Sequence, residues 1–329
     1  MGSDGTADWG PDATPAMLRA RAALISEVRA FFRELGVLEV STPVLSRAGI
    51  PDPNIPSVAA TTAGGPAWLH TSPEFPMKRL LAAGTGDIFQ ICPVFRDGES
   101  GRWHNPEFTL LEWYRLGLDE RQLAGEVCAL VHRLVDVAAS GTRPPLGEPQ
   151  WLSYGEAFRQ HAGVDPFQDS DETVAEAAIQ VTGAGGPAEW SRADWLDLLG
   201  SLRVFPALGR GHVTVLTDFP AEQAALARIR SGVPPTAARF ELFLDGVELA
   251  NGFHELSDPV EQRRRFAAEA ERRQNQGLPA VAVDEKLLAA LDAGLPDCAG
   301  VAVGLDRLMA LALGQADIQS VLSFSWPRA

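Results

Sequence analysis

An aspartate–glycine pair between two apolar runs is the feature that most constrains how this chain folds. The runs are residues 239–244 (RFELFL) and 247–251 (VELAN), and only Asp245 and Gly246 separate them. Asp-Gly suits the left-handed backbone of a two-residue type I′ turn, so the sequence predicts a β-hairpin here. In a regular hairpin of this kind, Leu244 lies opposite Val247, Phe243 lies opposite Glu248, and Glu241 lies opposite Ala250.

Two further β-rich runs are also joined by a loop and not by a helix. Residues 87–96 and 107–115 flank the polar segment 97–106 (DGESGRWHNP). A small-residue strand is predicted at 300–304 (GVAVG), ahead of a helix at 305–313. Strands that pair through hairpins, with helices collected elsewhere, are typical of α+β proteins. We therefore expect an antiparallel β-sheet flanked by helices.

The start and the middle of the chain indicate its domain organisation. Residues 1–13 are polar and are predicted to form a disordered lead-in. Thr14 as N-cap and Pro15 at the first helical position begin a helix, and residues 14–329 are predicted to form one domain. An acidic, helix-prone stretch at about 141–210 is predicted to be a helical insertion in that domain.

The charge balance bears on the partners of the protein. Its 329 residues include 28 Lys and Arg against 43 Asp and Glu, a net charge of −15. Proteins whose main function is to bind nucleic acid need Lys and Arg for the phosphates, so this balance disfavours that class. An acidic protein can still carry a local basic patch that binds nucleic acid.

Cysteines and apolar runs bear on the compartment. Cys92, Cys128 and Cys298 lie far apart and outside any CxxC pair, which predicts reduced thiols. No run approaches the ~18 apolar residues of a membrane span, and the N-terminus lacks the apolar core of a signal peptide. We expect a cytoplasmic protein without membrane contact.

Several common enzyme motifs are missing from the sequence. It contains no Walker loop, no G-x-S-x-G, no H-E-x-x-H and no G-x-G-x-x-G after a strand. The corresponding enzyme classes are therefore disfavoured.

The predicted hairpin brings two acidic side chains together. Glu241 and Glu248 are diagonal neighbours on one face, ~7–8 Å apart at Cα. Carboxylates this close repel each other unless a cation lies between them, and Mg²⁺ bridged to the phosphates of a nucleotide takes a couple of such carboxylates. A solvated sheet face with a nearby arginine explains the same geometry equally well.

The hairpin over 87–115 carries groups suited to an anion and a base. Arg96 ends its first strand and Phe108 opens its second. Arginine clamps phosphate in a fixed fork, and an aromatic ring can stack on a base. An amphipathic edge hairpin with ion pairs is the alternative interpretation. The loop also holds three polar side chains, Arg102, His104 and Asn105.

One face of the second strand suits a ligand ammonium group. Phe108, Leu110, Glu112 and Tyr114 share that face because side chains alternate with a period of two along a strand. A glutamate and a tyrosine on an otherwise apolar face are typical of ammonium recognition.

Two further segments carry weaker indications. Gly252 allows a β-bulge that would change the direction in which the side chains of Asn251 and Glu255 point. For residues 251–255 taken alone, the end of a surface strand is the simpler interpretation. Arg307 lies in the first turn of the helix at 305–313, where a positive charge is unfavourable unless an anion is bound. A tightly packed strand–helix corner is the alternative there.

Taken together, these pieces resemble the signature motifs of class II aminoacyl-tRNA synthetases. The first helix and the strand before Pro43 resemble motif 1, residues 94–115 resemble motif 2, and residues 300–314 resemble motif 3. Three segments are similar to the lysyl branch of that class: TSPE (71–74), HNPEFT (104–109) and FELFLDGVELANGFHEL (240–256).

Two departures from the lysyl-tRNA synthetases favour their stand-alone paralogues, the EpmA family. The segment that resembles motif 1 lies close to the start of the sequence, so no OB-fold anticodon domain is expected. In the segment that resembles motif 3, Ala302 stands where the synthetases have glycine. The EpmA family consists of ATP-dependent ligases that attach (R)-β-lysine to a lysine of elongation factor P. The resemblance runs from about residue 17 to 325 and implies a class II synthetase-like catalytic domain without a tRNA partner.

The resemblance implies roles for residues around ATP. Arg96 would bind the α-phosphate and the substrate carboxylate. Arg307 would bind the γ-phosphate and cover the adenine, with Phe108 on the other face, and these two arginines are the implied catalytic residues. Glu241 and Glu248 would hold Mg²⁺. The implied ATP-binding residues are Arg96, Asp97, Gly98, Glu99, His104, Asn105, Phe108, Glu248, Leu249, Gly304 and Arg307.

The resemblance also implies a substrate pocket. Ser72 and Glu74 resemble the residues around the reacting-end amino group, and Tyr114 and Glu255 resemble the pair that reads the far ammonium. Ala302 would add a methyl group at the pocket floor and favour a β-amino acid by ~1–3 kcal/mol. The implied substrate-binding residues are Ser72, Glu74, Glu112, Tyr114, Asn251, Glu255 and Ala302.

One position departs from the family pattern of motif 2. The R-x-E pattern places a glutamate two residues after Arg96, but Gly98 stands there and the glutamate is Glu99. Glu99 or a backbone group of the loop would then make that contact to ATP.

The implied reaction has two steps. The substrate carboxylate attacks the α-phosphorus to form an aminoacyl-adenylate, and a lysine amine of elongation factor P then attacks the adenylate. Motif 1 further implies a homodimer. Two alternatives stay open: a lysine-activating enzyme that acts on tRNA, and a catalytically silent paralogue that binds an amino acid or a nucleotide as a sensor.

Overall fold

The predicted hairpin lies within a nine-stranded β-sheet. The structure is a computed structural model that describes residues 9–138, 144–183, 187 and 190–329. Its strands are β1 (Leu38–Glu39), β2 (Leu45–Ser46), β3 (Ala59–Thr62), β4 (Gly65–Leu69), β5 (Ile88–Phe95), β6 (Glu107–Leu116), β7 (Gly147–Ser153), β8 (His212–Pro220), β9 (Ile229–Arg230), β10 (Thr236–Leu244), β11 (Val247–His254) and β12 (Cys298–Gly304). Its helices are α1 (Pro15–Glu34), α2 (Glu74–Ala82), α3 (Glu120–Ala138), α4 (Tyr154–His161), α5 (Asp171–Thr182), α6 (Arg192–Leu199), α7 (Pro259–Asn275), α8 (Glu285–Gly294) and α9 (Leu305–Ala312).

The large sheet is antiparallel in its centre and parallel at both edges. Its order is β1-β5-β6-β12-β11-β10-β8-β7, with β9 paired to β10, while β2-β4-β3 form a separate small sheet. The α+β class is confirmed. The predicted antiparallel sheet is present in the central strands, while at the edges β1 pairs with β5 and β7 with β8 in parallel. Helices lie in both of these connections, and a crossover of that kind permits parallel pairing.

The turn of the hairpin has the predicted form. Asp245 and Gly246 have φ angles of 52° and 79°, in the left-handed region that a type I′ turn requires. A side chain at Gly246 would also clash with the backbone of Pro206. Two predicted pairs are confirmed, Leu244 opposite Val247 and Phe243 opposite Glu248.

Beyond those pairs the register shifts by one residue. Glu241 lies opposite Asn251 and not opposite Ala250, so that predicted pair is wrong. The cause is a β-bulge in which Leu249 is the additional residue of β11. Leu249 and Ala250 are both buried in the main core, although they are adjacent in the strand. Glu248 keeps the face that the prediction assigned to it.

Helices α1, α3 and α9 cover one face of the large sheet. Their buried side chains share one apolar core with alternate residues of the strands, including Leu111 and Trp113 of β6. The helical contributions include Leu24, Phe32, Leu123, Val127, Leu130, Leu134, Leu305 and Leu308. Because side chains alternate along a strand, Leu110, Glu112 and Tyr114 face the opposite side. Across the described parts of the chain, no helix combines the length and apolarity that crossing a membrane requires.

The insertion predicted at about 141–210 is not wholly helical. Strand β7 opens its described part and extends the large sheet beside β8. Helices α4, α5 and α6 follow, and Phe158 and Leu199 share a second apolar core with Phe243 of β10. The prediction of a helical insertion is therefore incomplete. Three segments of this region lie outside the described residues: 139–143, 184–186 and 188–189.

The predicted disordered lead-in is too long at its C-terminal end. The backbone N–H groups of Asp12 and Ala13 donate to the carbonyl oxygens of Ser323 and Leu322, at 2.9 and 3.1 Å. Ala13 is buried. The prediction of disorder over 1–13 is therefore wrong for Asp12 and Ala13, because the C-terminal segment supplies their partners. Residues 1–8 lie outside the described residues.

Candidate active site

A cavity of about 850 Å³ lies on the sheet face opposite α1, α3 and α9. Residues of β6, β10, β11 and β12 form its floor, and the loop at 97–106 and helices α6 and α7 contribute to its walls. Small-molecule sites in proteins typically occupy ~300–1,000 Å³, so this cavity is large enough for two substrates side by side.

The structure brings most of the predicted site residues to this one cavity. They come from segments that are far apart in the sequence. Those that line the cavity are Ser72, Glu74, Arg96, Glu99, His104, Asn105, Phe108, Glu112, Tyr114, Glu241, Glu248, Leu249, Asn251, Glu255, Ala302, Gly304 and Arg307.

Two predicted ATP-binding residues do not line the cavity. The N–H of Asp97 donates to the carbonyl oxygen of Pro56 at 2.9 Å, which turns this residue toward the neighbouring loop. Gly98 has a φ of +75°, a conformation that favours glycine over glutamate. This backbone conformation suits the glycine that stands at this position. Glu99 lines the cavity and lies 3.6 Å from the Arg96 guanidinium.

Arg96 presents its guanidinium beside an aromatic ring. Its central carbon lies 5.0 Å from the centroid of the Phe108 ring. The Nε atom of Arg96 is buried without a hydrogen-bond partner among the described residues. A buried donor without a partner is costly, and a bound anion would satisfy it.

Arg307 is held on the cavity wall by two backbone carbonyls. Its Nε donates to Trp103 O and its Nη1 to Glu248 O, each at 3.0 Å. These bonds fix one edge of the guanidinium and leave its remaining N–H groups for a ligand. Partial burial and the positive charge of Arg307 lower the pKa of His104, which favours its neutral form.

A buried aspartate fixes the helix that carries Arg307. Asp306 accepts from Arg21 Nη1 at 2.5 Å and from the N–H of Thr109 at 2.7 Å. Arg21 also donates to Thr109 Oγ1 at 2.8 Å. This network joins α1, β6 and α9, the elements of the three predicted motifs. Sequence reasoning missed both Arg21 and Asp306, although each belongs to a predicted motif.

Two polar residues of the loop at 97–106 form hydrogen bonds within the protein. Asn105 Nδ2 donates to Glu107 O at 2.7 Å, and Asn105 Oδ1 accepts from the N–H of Trp326 at 2.9 Å. Only one N–H of this amide is left for the predicted contact to ATP. Arg102 donates to Ala316 O at 2.5 Å and does not line the cavity.

A buried lysine that the sequence analysis missed lies beside the far end of the cavity, outside its lining. Lys78 is 2% exposed, and its Nζ lies 2.6 Å from Glu74 Oε1 and 2.6 Å from Glu255 Oε2. Burial alone would lower the pKa of Lys78, but Glu255 and Glu74 raise it well above its ordinary value. The available signal was the spacing of Glu74 and Lys78, which are four residues apart and lie on one face of helix α2.

Tyr114, which is predicted to read the far ammonium together with Glu255, donates its hydroxyl to a third carboxylate. Tyr114 Oη donates to Glu112 Oε1 at 2.7 Å, while Glu112 Oε2 is buried with no partner among the described residues. Burial and the neighbouring Glu74 raise the pKa of Glu112 well above its ordinary value. Burial raises the pKa of Glu255 to about 7, and Lys78 limits that rise. Together these groups form an acidic pocket suited to ammonium groups.

The two hairpin carboxylates also meet in the cavity. Glu241 is 7% exposed, and burial together with the charge of Glu248 raises its pKa to about 8. The opposing cation is Arg239, whose Nη2 lies 2.5 Å from Glu241 Oε1. The nearby arginine of the second interpretation is therefore present, but the face is buried and not solvated. Among the described residues, no group of three or more His, Cys, Asp or Glu is placed to hold a metal ion.

A glycine of β12 lies tightly against the acidic pocket. A Cβ at Gly300 would overlap the Tyr114 ring and Glu255 Oε1. At Gly304, four residues later, the nearest atom to such a Cβ is Arg307 Cδ at 3.6 Å, an ordinary contact. The absence of a side chain at Gly300 thus lets Tyr114 and Glu255 approach each other.

Comparisons with known proteins agree with this geometry. The profile of the family described as tRNA synthetases class II (D, K and N) matches residues 7–328. A protein of Vibrio cholerae named elongation factor P--(R)-beta-lysine ligase is 43% identical over 331 residues, 98% of this chain and 99% of its own length. Proteins of the same name from Vibrio atlanticus and Salmonella dublin are 44% and 43% identical, also over 98% of this chain and 99% of their own lengths.

The contrast between the two glycines predicts the effect of a methyl group. Gly300→Ala should lower the free energy of unfolding by ~1–3 kcal/mol, because overpacking must displace Tyr114 or Glu255. Gly304→Ala, the matched control, should lower it by less. Urea denaturation followed by circular dichroism measures both, and equal losses for the two variants would contradict the predicted crowding.

Proposed function

Because this chain belongs to the class II tRNA synthetase (D, K and N) family, and within it to the elongation factor P--(R)-beta-lysine ligases, we propose that it ligates (R)-β-lysine to a lysine of elongation factor P. ATP would supply the energy, through an aminoacyl-adenylate. The observation that carries the proposal is one cavity with arginines at one end and an acidic pocket at the other. A substrate with a carboxylate and two ammonium groups matches both ends.

The first step is substitution at the α-phosphorus of ATP. The carboxylate oxygen of β-lysine attacks the phosphorus, the bond to the bridging oxygen breaks, and pyrophosphate leaves. Arg96 and Arg307 line the cavity and would offset the negative charge that develops on the phosphates. Phe108, beside the Arg96 guanidinium, offers a ring on which the adenine can stack.

The second step transfers the aminoacyl group to the acceptor protein. The amine of the acceptor lysine attacks the adenylate carbonyl, an amide forms, and AMP leaves with its electron pair on the phosphate oxygen. No enzyme nucleophile is required. The cysteines fit this mechanism, because Cys92, Cys128 and Cys298 are buried and free, and burial raises the pKa of each to about 12.

Glu241 and Glu248 are proposed to hold Mg²⁺ together with the phosphates. Glu248 forms no ion pair among the described residues, and Glu241 gives only one oxygen to Arg239. Mg²⁺ in nucleotide sites typically takes one or two carboxylates and completes its shell with water and phosphate oxygens, so this donor set fits. When bound, the ion would neutralise charge on the phosphates.

The surroundings of the first helix support a homodimer. Leu35, Leu38 and Leu45 are 41%, 52% and 44% exposed and follow one another within eleven residues after α1. Apolar side chains concentrated in this way are typical of an interface.

The free, buried cysteines further support action in the reducing cytoplasm.

The proposed ligase activity is tested by pyrophosphate exchange and by label transfer. We expect exchange driven better by (R)-β-lysine than by α-lysine, and label from β-lysine on elongation factor P. Arg96→Ala and Arg307→Ala should each lower kcat/KM by at least ~100-fold, because each removes a donor to developing charge. Arg203→Ala, an exposed arginine outside the cavity, is the control. Label on tRNA in place of the protein, or no exchange, would overturn the proposal.

The metal ligands are tested by the dependence of exchange on magnesium. Glu248→Gln should raise the Mg²⁺ concentration for half-maximal exchange by ~10-fold or more, because it removes one charged ligand. Glu107→Gln, at an exposed carboxylate of β6, should leave that concentration unchanged. An unchanged magnesium dependence in Glu248→Gln would remove this residue from the metal site.

The dimer is tested by light scattering. The wild-type protein should have twice the chain mass of 35.3 kDa at working concentration. Leu38→Glu should shift it toward the monomer, because a charge would be buried in the interface. Leu202→Glu, at a leucine of the insertion that is 46% exposed, should not. A wild-type mass of one chain would rule the dimer out.

A further inference from the structure

Lys78 links two elements of the acidic pocket. It lies on α2, four residues after Glu74, and its second carboxylate partner, Glu255, directly follows β11. The neighbouring residues Met77 and Leu81 of α2 are buried in an apolar core that also contains Tyr114. The ammonium of Lys78 is thus fixed between the helix and the sheet, away from solvent.

If its carboxylates are all ionised, this pocket carries excess negative charge, and without a ligand the raised pKa values of Glu112 and Glu255 oppose that ionisation. The carboxylates of Glu74, Glu112 and Glu255 face one ammonium, that of Lys78. Arg228 interacts with the Glu255 carboxylate at longer range, but its guanidinium pairs with Asp297 at 2.6 Å. With all three carboxylates ionised, two negative charges remain, and a diamino acid supplies two ammonium groups.

The contacts also show which carboxylate oxygens of the pocket already have a partner. Glu74 and Glu255 each give one oxygen to Lys78, and Tyr114 occupies one oxygen of Glu112. The other oxygen of Glu112 is buried without a partner among the described residues. A buried carboxylate oxygen without a donor is unfavourable, so an incoming ammonium group would satisfy Glu112. Glu255 Oε2 also lacks a hydrogen bond of good geometry, although Lys78 Nζ lies 2.6 Å from it.

We propose that Lys78 is a positioning residue that holds Glu74 and Glu255 for the substrate and sets the pocket charge for two ammonium groups. This inference rests on the proposed function, whose substrate carries two such groups. Two carboxylates on its ammonium keep Lys78 protonated, and a protonated amine has no electron pair to attack the adenylate. Lys78 therefore contributes charge and geometry, and it is not an acyl acceptor.

The experiment measures substrate-specific kinetics in pyrophosphate exchange. Lys78→Ala should raise KM for (R)-β-lysine by ~100-fold or more, because removing one partner leaves buried carboxylates uncompensated. KM for ATP should change by less than ~3-fold, since the arginine end is untouched. n-Propylammonium should lower the raised KM, whereas n-propanol should not. Lys78→Arg keeps the charge and should lose less than Lys78→Ala.

Controls separate this inference from a structural role and from the proposed function. Lys286→Ala, at the other lysine of the chain and exposed on α8, should behave like wild type. Equal losses for both substrates without rescue by propylammonium would overturn the positioning role, as would normal kinetics in Lys78→Ala. If Lys78→Ala fails to fold, Lys78→Arg decides: a KM change for ATP as large as that for β-lysine overturns it. A wild-type protein inactive with β-lysine would instead refute the proposed function.

Discussion

The two faces of the large sheet meet different environments, and this division positions every group in the cavity. Leu111 and Trp113 of β6 are buried against α1, α3 and α9. Because strand side chains alternate, Glu112 and Tyr114 between and beside them must face the cavity. A slip of one residue would place Glu112 in the apolar core, which burial of a charge forbids. Apolar packing on one face of the sheet thus determines which polar side chains face the cavity on the other.

The cavity holds Arg96 and Arg307 at one end and the acidic pocket at the other, and each end is kept in place by its own contacts. Backbone carbonyls hold Arg307, and Asp306 anchors the helix on which it lies. At the other end, Lys78 holds two carboxylates that would otherwise repel each other. In the proposed reaction, the two ends would orient a substrate that carries a carboxylate and ammonium groups before any chemistry takes place.

Local patterns predicted the elements better than the contacts between them. The type I′ turn followed from Asp245 and Gly246 alone, because turn conformation depends on the residues within the turn. The bulge at Leu249 did not, because it places two consecutive residues in a core shared with distant helices. Likewise, the sequence did not indicate that Lys78 pairs with Glu255 or that Tyr114 donates to Glu112.

The sequence by itself determined the fold class, the family resemblance and a set of site residues of which nearly all line the cavity. These depend on turn chemistry, on strand and helix periodicity and on motif order, which are all local or sequential properties. Only the tertiary structure decided which charges pair. Lys78 meets Glu255, and Arg21 meets Asp306, across long stretches of chain. Such pairings depend on how the sheet and the helices pack in three dimensions, and no spacing along the chain encodes that distance.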